Sequence, residues 1–121
     1  MHNGLGLHIL MEFHECTPEV LNDGTFLEQA MNTAAELADA TIIKSVFHQF
    51  SPQGVTGVVV VAESHLAIHT WPEYGYAAVD FFTCNAAMDY KKAYEFLQQQ
   101  LNSKSCEYKS ITRGIMKTTM N

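Results

Sequence analysis

Residues 55–62 have the sequence VTGVVVVA, and this stretch decides the fold class. A run of β-branched residues that follows a turn favours a strand. Residues 58–62 are apolar on both faces of that strand, as in strands that are covered from both sides. Residues 64–70 and 76–83 are expected to be strands on either side of the bend Trp71-Pro72-Glu73-Tyr74-Gly75. The centre of the chain is therefore predicted to be β-sheet.

Further strands and two long helices are expected on both sides of this centre. The strands are predicted at residues 5–13, 41–50 and 106–112. Thr17 and Pro18 have the residue types that begin a short helix. Thr25 is expected to cap a longer helix that runs to about Ala38, and Asp89 is expected to cap a second one that runs to about Leu101.

These elements predict one α+β domain over residues 1–121. Two helices can cover only one face of an antiparallel sheet, so the domain is expected to be a two-layer sandwich with both main helices on one face. Residues 58–62 nevertheless require cover on the second face as well. The economical solution is a second copy of the sheet, which gives a symmetric dimer with an α/β/β/α arrangement.

The composition excludes several classes of function. The chain has seven Lys and Arg residues and a formal net charge of -6, whereas proteins that bind nucleic-acid backbones cluster positive charge. No apolar run reaches the roughly 18 residues of a membrane span, and no secretory signal is present. Cys16, Cys84 and Cys106 are odd in number and widely spaced, which favours free thiols. We expect a cytoplasmic protein that binds neither nucleic acid nor membrane.

Residues 63–73, with the sequence ESHLAIHTWPE, concentrate the chemically active side chains. Polar residues at the end of a rigid buried strand are what a functional site needs, although a polar hairpin with ordinary hydrogen bonds would have the same composition. A metal site is a further alternative, with ligands drawn from Glu63, His65, His69, Glu73 and Cys84. On a strand the two histidines lie roughly 13 Å apart, too far for one ion. No metal is therefore predicted.

The same stretch carries a resemblance to a known family. Residues 63–73, followed by GYAAVD at 75–80 and FTC at 82–84, resemble the bacterial and archaeal S-adenosylmethionine decarboxylases. The likeness continues upstream through Gly54–Val60 and into the first strand. It implies a small pyruvoyl-dependent enzyme of polyamine synthesis. Such an enzyme converts S-adenosylmethionine into CO2 and the decarboxylated aminopropyl donor for spermidine.

The resemblance also implies that the chain is a proenzyme. Ser64 would attack the carbonyl of Glu63, and the chain would split into residues 1–63 and 64–121. Ser64 would become a pyruvoyl group, which is the cofactor and forms a Schiff base with the substrate amine. An unactivated serine is a poor nucleophile, so this reaction needs alignment and a stabilised oxyanion.

Five other residues match family positions with assigned roles. His69 matches the proton acceptor in processing, and Thr56 matches a hydroxyl, commonly that of Ser, that assists processing. Cys84 matches the proton donor in catalysis. Phe50 matches a position that stacks on adenine, and Glu73 is expected to accept hydrogen bonds from the ribose.

The resemblance divides these residues between two protomers. It implies that Ser64 and Cys84 of one chain meet Thr56, His69 and Glu73 of its partner in a homodimer. Ser64 and His69 are five residues apart, so on a straight strand they face opposite sides and do not meet. A shared site agrees with the dimer inferred from the apolar strand.

Two departures from the family leave the substrate open. Many relatives have a basic residue where this chain has Leu7, and many have Arg where it has Gln49. The loss of two cations near a pocket rim would change the local field. The alternatives are a pyruvoyl-dependent decarboxylase of another amino acid, such as ornithine or arginine, and a non-cleaving paralogue that acts as a binding or regulatory subunit.

Overall fold

A computed structural model describes residues 4–85 and 87–116 and contains a six-stranded antiparallel sheet with strand order β2-β3-β4-β5-β1-β6. In chain order the elements are β1 (Gly6–His14), α1 (Pro18–Leu21), α2 (Gly24–Leu37), β2 (Ile42–Gln49), β3 (Val55–Val61), β4 (Ser64–Trp71), a 3-10 turn (Pro72–Tyr74), β5 (Tyr76–Thr83), α3 (Tyr90–Gln100) and β6 (Ser105–Arg113). No helix within the described ranges has the length and hydropathy needed to cross a bilayer.

The hydrophobic core lies between the sheet and the two long helices. Alternate strand residues face α2 and α3, as the period of two in a strand requires. From the sheet the core includes Ile9, Met11, Phe13, Val59, Leu66, Ile68, Val79 and Phe81, and from the helices Leu27, Met31, Ala34, Ala93 and Leu97. The predicted α+β class, with an antiparallel sheet and two main helices on one face, is confirmed.

The start of the first long helix differs from the prediction. Thr25 lies inside the first turn of α2, and Asp23 is the N-cap, where its carboxylate accepts a hydrogen bond from the Phe26 N–H. Asp23 is favoured as the cap because its carboxylate also interacts favourably with the dipole at the helix N-terminus. Thr17 occupies the N-cap of α1, but its hydroxyl accepts from the Asn102 side chain instead of capping the helix. Asp89 caps α3 as predicted.

None of the helices in the described part of the chain lies on the second face of the sheet. Val46 and Val60 lie on this open face with 57% and 41% of their surface exposed, beside the polar residues described below. Exposed apolar side chains on adjacent strands favour burial against another surface. This agrees with the predicted α/β/β/α dimer, which a single chain does not test.

Candidate active site

The β3–β4 hairpin holds its two connecting residues, Ala62 and Glu63, in a fixed position. Val61 pairs with Ser64 across the turn. The Ala62 N–H donates to the Thr41 carbonyl at 2.8 Å, and the Thr41 N–H donates to Glu63 Oε1 at 3.1 Å. The chain just before β2 therefore clamps both the backbone and the acidic side chain of the turn.

The peptide bond between Glu63 and Ser64 has two unusual features. The backbone N–H of Cys84 donates to the Glu63 carbonyl oxygen at 3.0 Å. Ser64 has φ of 156°, a value far from the −140° typical of antiparallel strands. Strained conformations of this kind occur at functional sites. A donor aimed at a carbonyl stabilises negative charge that develops on its oxygen, so this hydrogen bond polarises the carbonyl that precedes Ser64.

Ser64 and Cys84 line one pocket of about 340 Å³ at this end of the sheet. The other lining residues are Leu5, Gly6, Phe82, Arg113 and Gly114. Cys84 is exposed, unlike Cys16, which is buried. An accessible thiol in a pocket can act on a bound molecule, whereas a buried thiol packs as a small apolar group.

A polar cluster lies beside this pocket on the open face. His8 Nε2 and His65 Nε2 lie 2.6 and 3.3 Å from the same oxygen of Asp80. On the other side of the His8 ring, Arg113 Nη1 lies 3.3 Å from Nδ1. Sequence reasoning gave His8 no role and did not single out Asp80, because 72 residues separate them. Strand alternation could have placed His8 and Asp80 on the same face of the sheet. Only the order of strands in the sheet makes them neighbours.

The side chains of metal-ligand type that lie close together in the structure are not the set that the sequence suggested. Among the residues that the structure describes, His8, His65 and Asp80 place one ligand atom each within 4.8 Å of one another. His65 and His69 both lie on the open face of β4 but at different levels of the sheet, since they pair with Phe82 and Ala78. The combination of His65 with His69 is therefore not a single site.

A second pocket, of about 240 Å³, lies at the opposite end of the sheet. Its lining includes Phe50, Thr56, His69 and Glu73, together with Trp71. Thr56 Oγ1 lies 3.2 Å from His69 Nδ1 across β3 and β4. The 3-10 turn after β4 brings Glu73 back towards these strands. This pocket combines an aromatic ring, a hydroxyl–imidazole pair and a carboxylate.

The predicted site residues thus form two groups that one chain does not bring together. Ser64 begins β4 and His69 lies five residues later, about 17 Å away along the strand. Ser64 pairs with the buried Thr83, whereas His69 pairs with Ala78 on the open face. The two groups are those that the resemblance assigns to different protomers, and their assembly stays a prediction.

The interpretation of Leu7 and Gln49 as a change at the pocket rim is wrong. Leu7 is half-buried and packs against the core on the helix-covered face. The Gln49 amide donates to the Asn22 carbonyl at 2.6 Å and accepts from the Gly24 N–H at 3.1 Å, so it anchors the start of α2. Strand alternation turns both side chains away from the open face. Neither alters the charge of the two pockets.

Comparison with solved structures defines the class of protein. The chain is similar to the adenosylmethionine decarboxylase of Aquifex aeolicus, with a TM-score of 0.86 and 36% identity over 99% of both chains. A Trypanosoma brucei AdoMetDC-delta26 monomer shares the fold alone, with a TM-score of 0.59 and 16% identity over 89% of this chain and 46% of that one. The fold is that of a decarboxylase, a carboxy-lyase.

The particular family follows from the sequence. The family model described as S-adenosylmethionine decarboxylase matches residues 7–114, and the chain belongs to this family. A Thermotoga petrophila relative is 52% identical over 91% of this chain and 85% of its own length. A Pseudomonas aeruginosa relative is 50% identical over 92% of this chain and 69% of its own length. Both are named S-adenosylmethionine decarboxylase proenzyme. The resemblance inferred from residues 63–73 is confirmed.

Proposed function

We propose that the protein is a proenzyme that cuts its own backbone between Glu63 and Ser64 and then decarboxylates S-adenosylmethionine to the aminopropyl donor of spermidine synthesis. Family membership supports the reaction. The observation that supports self-processing is the carbonyl of Glu63, the residue just before Ser64, which accepts a hydrogen bond from the Cys84 N–H at 3.0 Å. The bacterial relatives are compatible with a cytoplasmic location, which is part of this proposal.

The processing steps use atoms that the chain supplies. Ser64 Oγ bonds to the carbonyl carbon of Glu63 as the C–N bond breaks, so the amide becomes an ester and the Ser64 nitrogen a free amine. A base then removes the Cα proton of Ser64, and the Cβ–Oγ bond breaks, so that the new C-terminal carboxylate of residue 63 leaves with Oγ and the bonding electrons. Water adds to the remaining enamine, ammonia departs, and residue 64 becomes a pyruvoyl group. The Cys84 N–H stabilises the charge on the Glu63 oxygen in the first step.

The proton acceptor in this scheme is His69 of a second protomer. In the tautomer whose Nδ1–H donates to the Thr56 hydroxyl, Nε2 of His69 is free to accept the Cα proton of Ser64. The His69 of the same chain is about 17 Å away along β4. A face-to-face homodimer brings the two half-sites together and covers the exposed side chains of Val46 and Val60.

The pocket around Ser64 fits a pyruvoyl group. Its carbonyl supplies an electron sink for decarboxylation. Of the described residues that line the pocket none is a lysine, whose amine would condense with that carbonyl. Cys84 reaches the same pocket, and a thiol that is protonated at neutral pH can return a proton to the substrate carbon.

The second pocket supplies groups for the nucleoside part of the substrate. The exposed ring of Phe50 can stack on an adenine, and Glu73 can accept from ribose hydroxyls. A sulfonium also interacts favourably with aromatic rings. Because Leu7 and Gln49 face away from both pockets, the sequence-level reason to expect a different amino acid substrate no longer holds.

Denaturing mass spectrometry of purified protein tests self-processing. We expect wild type to give residues 1–63 and a 64–121 chain that begins with pyruvoyl. Ser64→Ala should remain one chain, while Ser110→Ala, on an exposed serine of β6, should process like wild type. CO2 release from carboxyl-labelled S-adenosylmethionine should exceed release from ornithine or arginine. A wild-type chain that stays intact after long incubation would refute the proposal and favour the non-cleaving paralogue.

A further inference from the structure

We propose that Arg113, held in place by His8 and Asp80, binds the α-carboxylate of the substrate in the pocket that contains Ser64 and Cys84. The inference rests on the proposed function and adds to it a residue for substrate selection. It starts from the polar cluster beside the pocket, to which the processing and proton-transfer steps assign no role.

Arg113 lies at the pocket because it ends β6, the strand at one edge of the sheet. It is the last residue of β6 and pairs with Gly6 of β1. Its guanidinium carbon lies 5.2 Å from the centroid of the Phe82 ring, within the range of a cation–π contact. Phe82 and Arg113 line the pocket together with Ser64 and Cys84. The positive charge is therefore fixed at the wall of the pocket where the reaction is proposed to occur.

The contact with His8 determines how the cluster is protonated. A guanidinium has only donors, so Arg113 donates to His8 Nδ1 and the His8 proton lies on Nε2. That N–H donates to Asp80 at 2.6 Å. A metal ion would need the Nε2 lone pair, which this arrangement commits to the proton. The cluster is thus a chain of hydrogen bonds from Asp80 through His8 to Arg113.

The guanidinium retains donors for a ligand. It has five N–H groups, and its contacts with the described residues use one of them, at His8. The Asp80 carboxylate is engaged by His8 and His65. A carboxylate can accept two parallel N–H bonds from an arginine, which is the strongest geometry for this pair.

The substrate presents such a carboxylate at this place. The amine and the carboxylate of an α-amino acid share one carbon atom, and the amine must reach residue 64. The carboxylate therefore enters the same pocket, where Arg113 is the cation among the described lining residues. Because the product has lost this group, Arg113 would favour binding of substrate over product. Its removal should raise KM more than it lowers kcat.

The test compares Arg113→Gln, Arg113→Lys and Asp80→Asn with wild type, after mass spectrometry has shown cleavage. Lys91→Gln removes one charge from an exposed position on α3 and is the control. For Arg113→Gln we expect KM to rise on the order of tenfold to a hundredfold with kcat within a few-fold. By calorimetry, the Kd of decarboxylated S-adenosylmethionine should be unchanged. The KM of Arg113→Lys should lie between those of wild type and Arg113→Gln, since lysine keeps the charge but loses the two parallel N–H donors of the guanidinium.

The outcomes separate this inference from the proposed function. A wild-type chain that is never cleaved refutes both. Normal cleavage with an unchanged KM for Arg113→Gln, or an equal loss of affinity for substrate and product, overturns the carboxylate contact alone. If Arg113→Gln does not fold, the same comparison is made with Arg113→Lys. Asp80→Asn should raise KM by a smaller factor, and an unchanged value would overturn the positioning role of Asp80.

Discussion

The Thr56 hydroxyl offers a quantitative test of the processing machinery. Thr56→Val keeps the shape of the side chain and removes its hydrogen bond to His69, which measures 3.2 Å and lies in a largely exposed position. Such a bond contributes about 0.5–1.5 kcal/mol. If the hydroxyl only orients the imidazole, the rate of cleavage should fall by about twofold to thirteenfold. The free energy of unfolding should fall by no more than about 1.5 kcal/mol.

The assay follows the uncleaved precursor, made by cell-free translation, by mass spectrometry over time. Thr56→Ser is the matched control: it keeps the hydroxyl and loses the methyl group that restricts χ1, so it should cleave at least as fast as wild type. An unchanged rate for Thr56→Val would refute the role of the hydroxyl. A loss beyond about a thousandfold would show direct participation in proton transfer instead of orientation.

Further predictions concern other parts of the chain. Cys84→Ala keeps the backbone N–H at the Glu63 carbonyl, so it should still cleave but lose about a hundredfold or more in CO2 release; an uncleaved variant would contradict this. Burial raises the pKa of Cys16 to about 11, although a hydrogen bond with Ser103 partly opposes it. Iodoacetamide at pH 8 should therefore modify Cys84 and spare Cys16, and modification of Cys16 in folded protein would contradict it. The same shift contributes stability below about pH 9 that is lost towards pH 11. Asp23→Ala should cost about 1 kcal/mol in urea denaturation and Thr25→Ala less than about 0.5, and the reverse order would contradict the observed cap.

Local patterns predicted the strands well, because alternation and turn residues act over short distances. The strand from Tyr76 to Thr83 has the predicted bounds. The cap of α2 was misplaced because Asp23 and Thr25 both have capping side chains, and which one acts depends on where the chain first becomes helical. Resemblance, not spacing, identified Cys84, since a lone cysteine on a strand is more often a packing residue.

The prediction failed where neighbours are distant in sequence. Gln49 was assigned to a pocket rim, but it contacts Asn22, 27 residues away, on the other face. The contact between Arg113 and His8 spans 105 residues and depends on β1 being placed beside β6. Strand order is a property of the whole sheet, and no local pattern in the sequence specifies it.

The strand order has a consequence for the fate of the two cleavage products. A cut after Glu63 would leave β1, β2 and β3 in one chain and β4, β5 and β6 in the other. With the order β2-β3-β4-β5-β1-β6, the two chains meet along three seams, and β1 is inserted between two strands of the other chain. The fragments are interlocked, so neither can leave without dismantling the sheet. Dissociation of the two fragments and unfolding of the sheet become one event. The melting temperature of the mature enzyme should therefore depend on its concentration, because unfolding separates the two fragments.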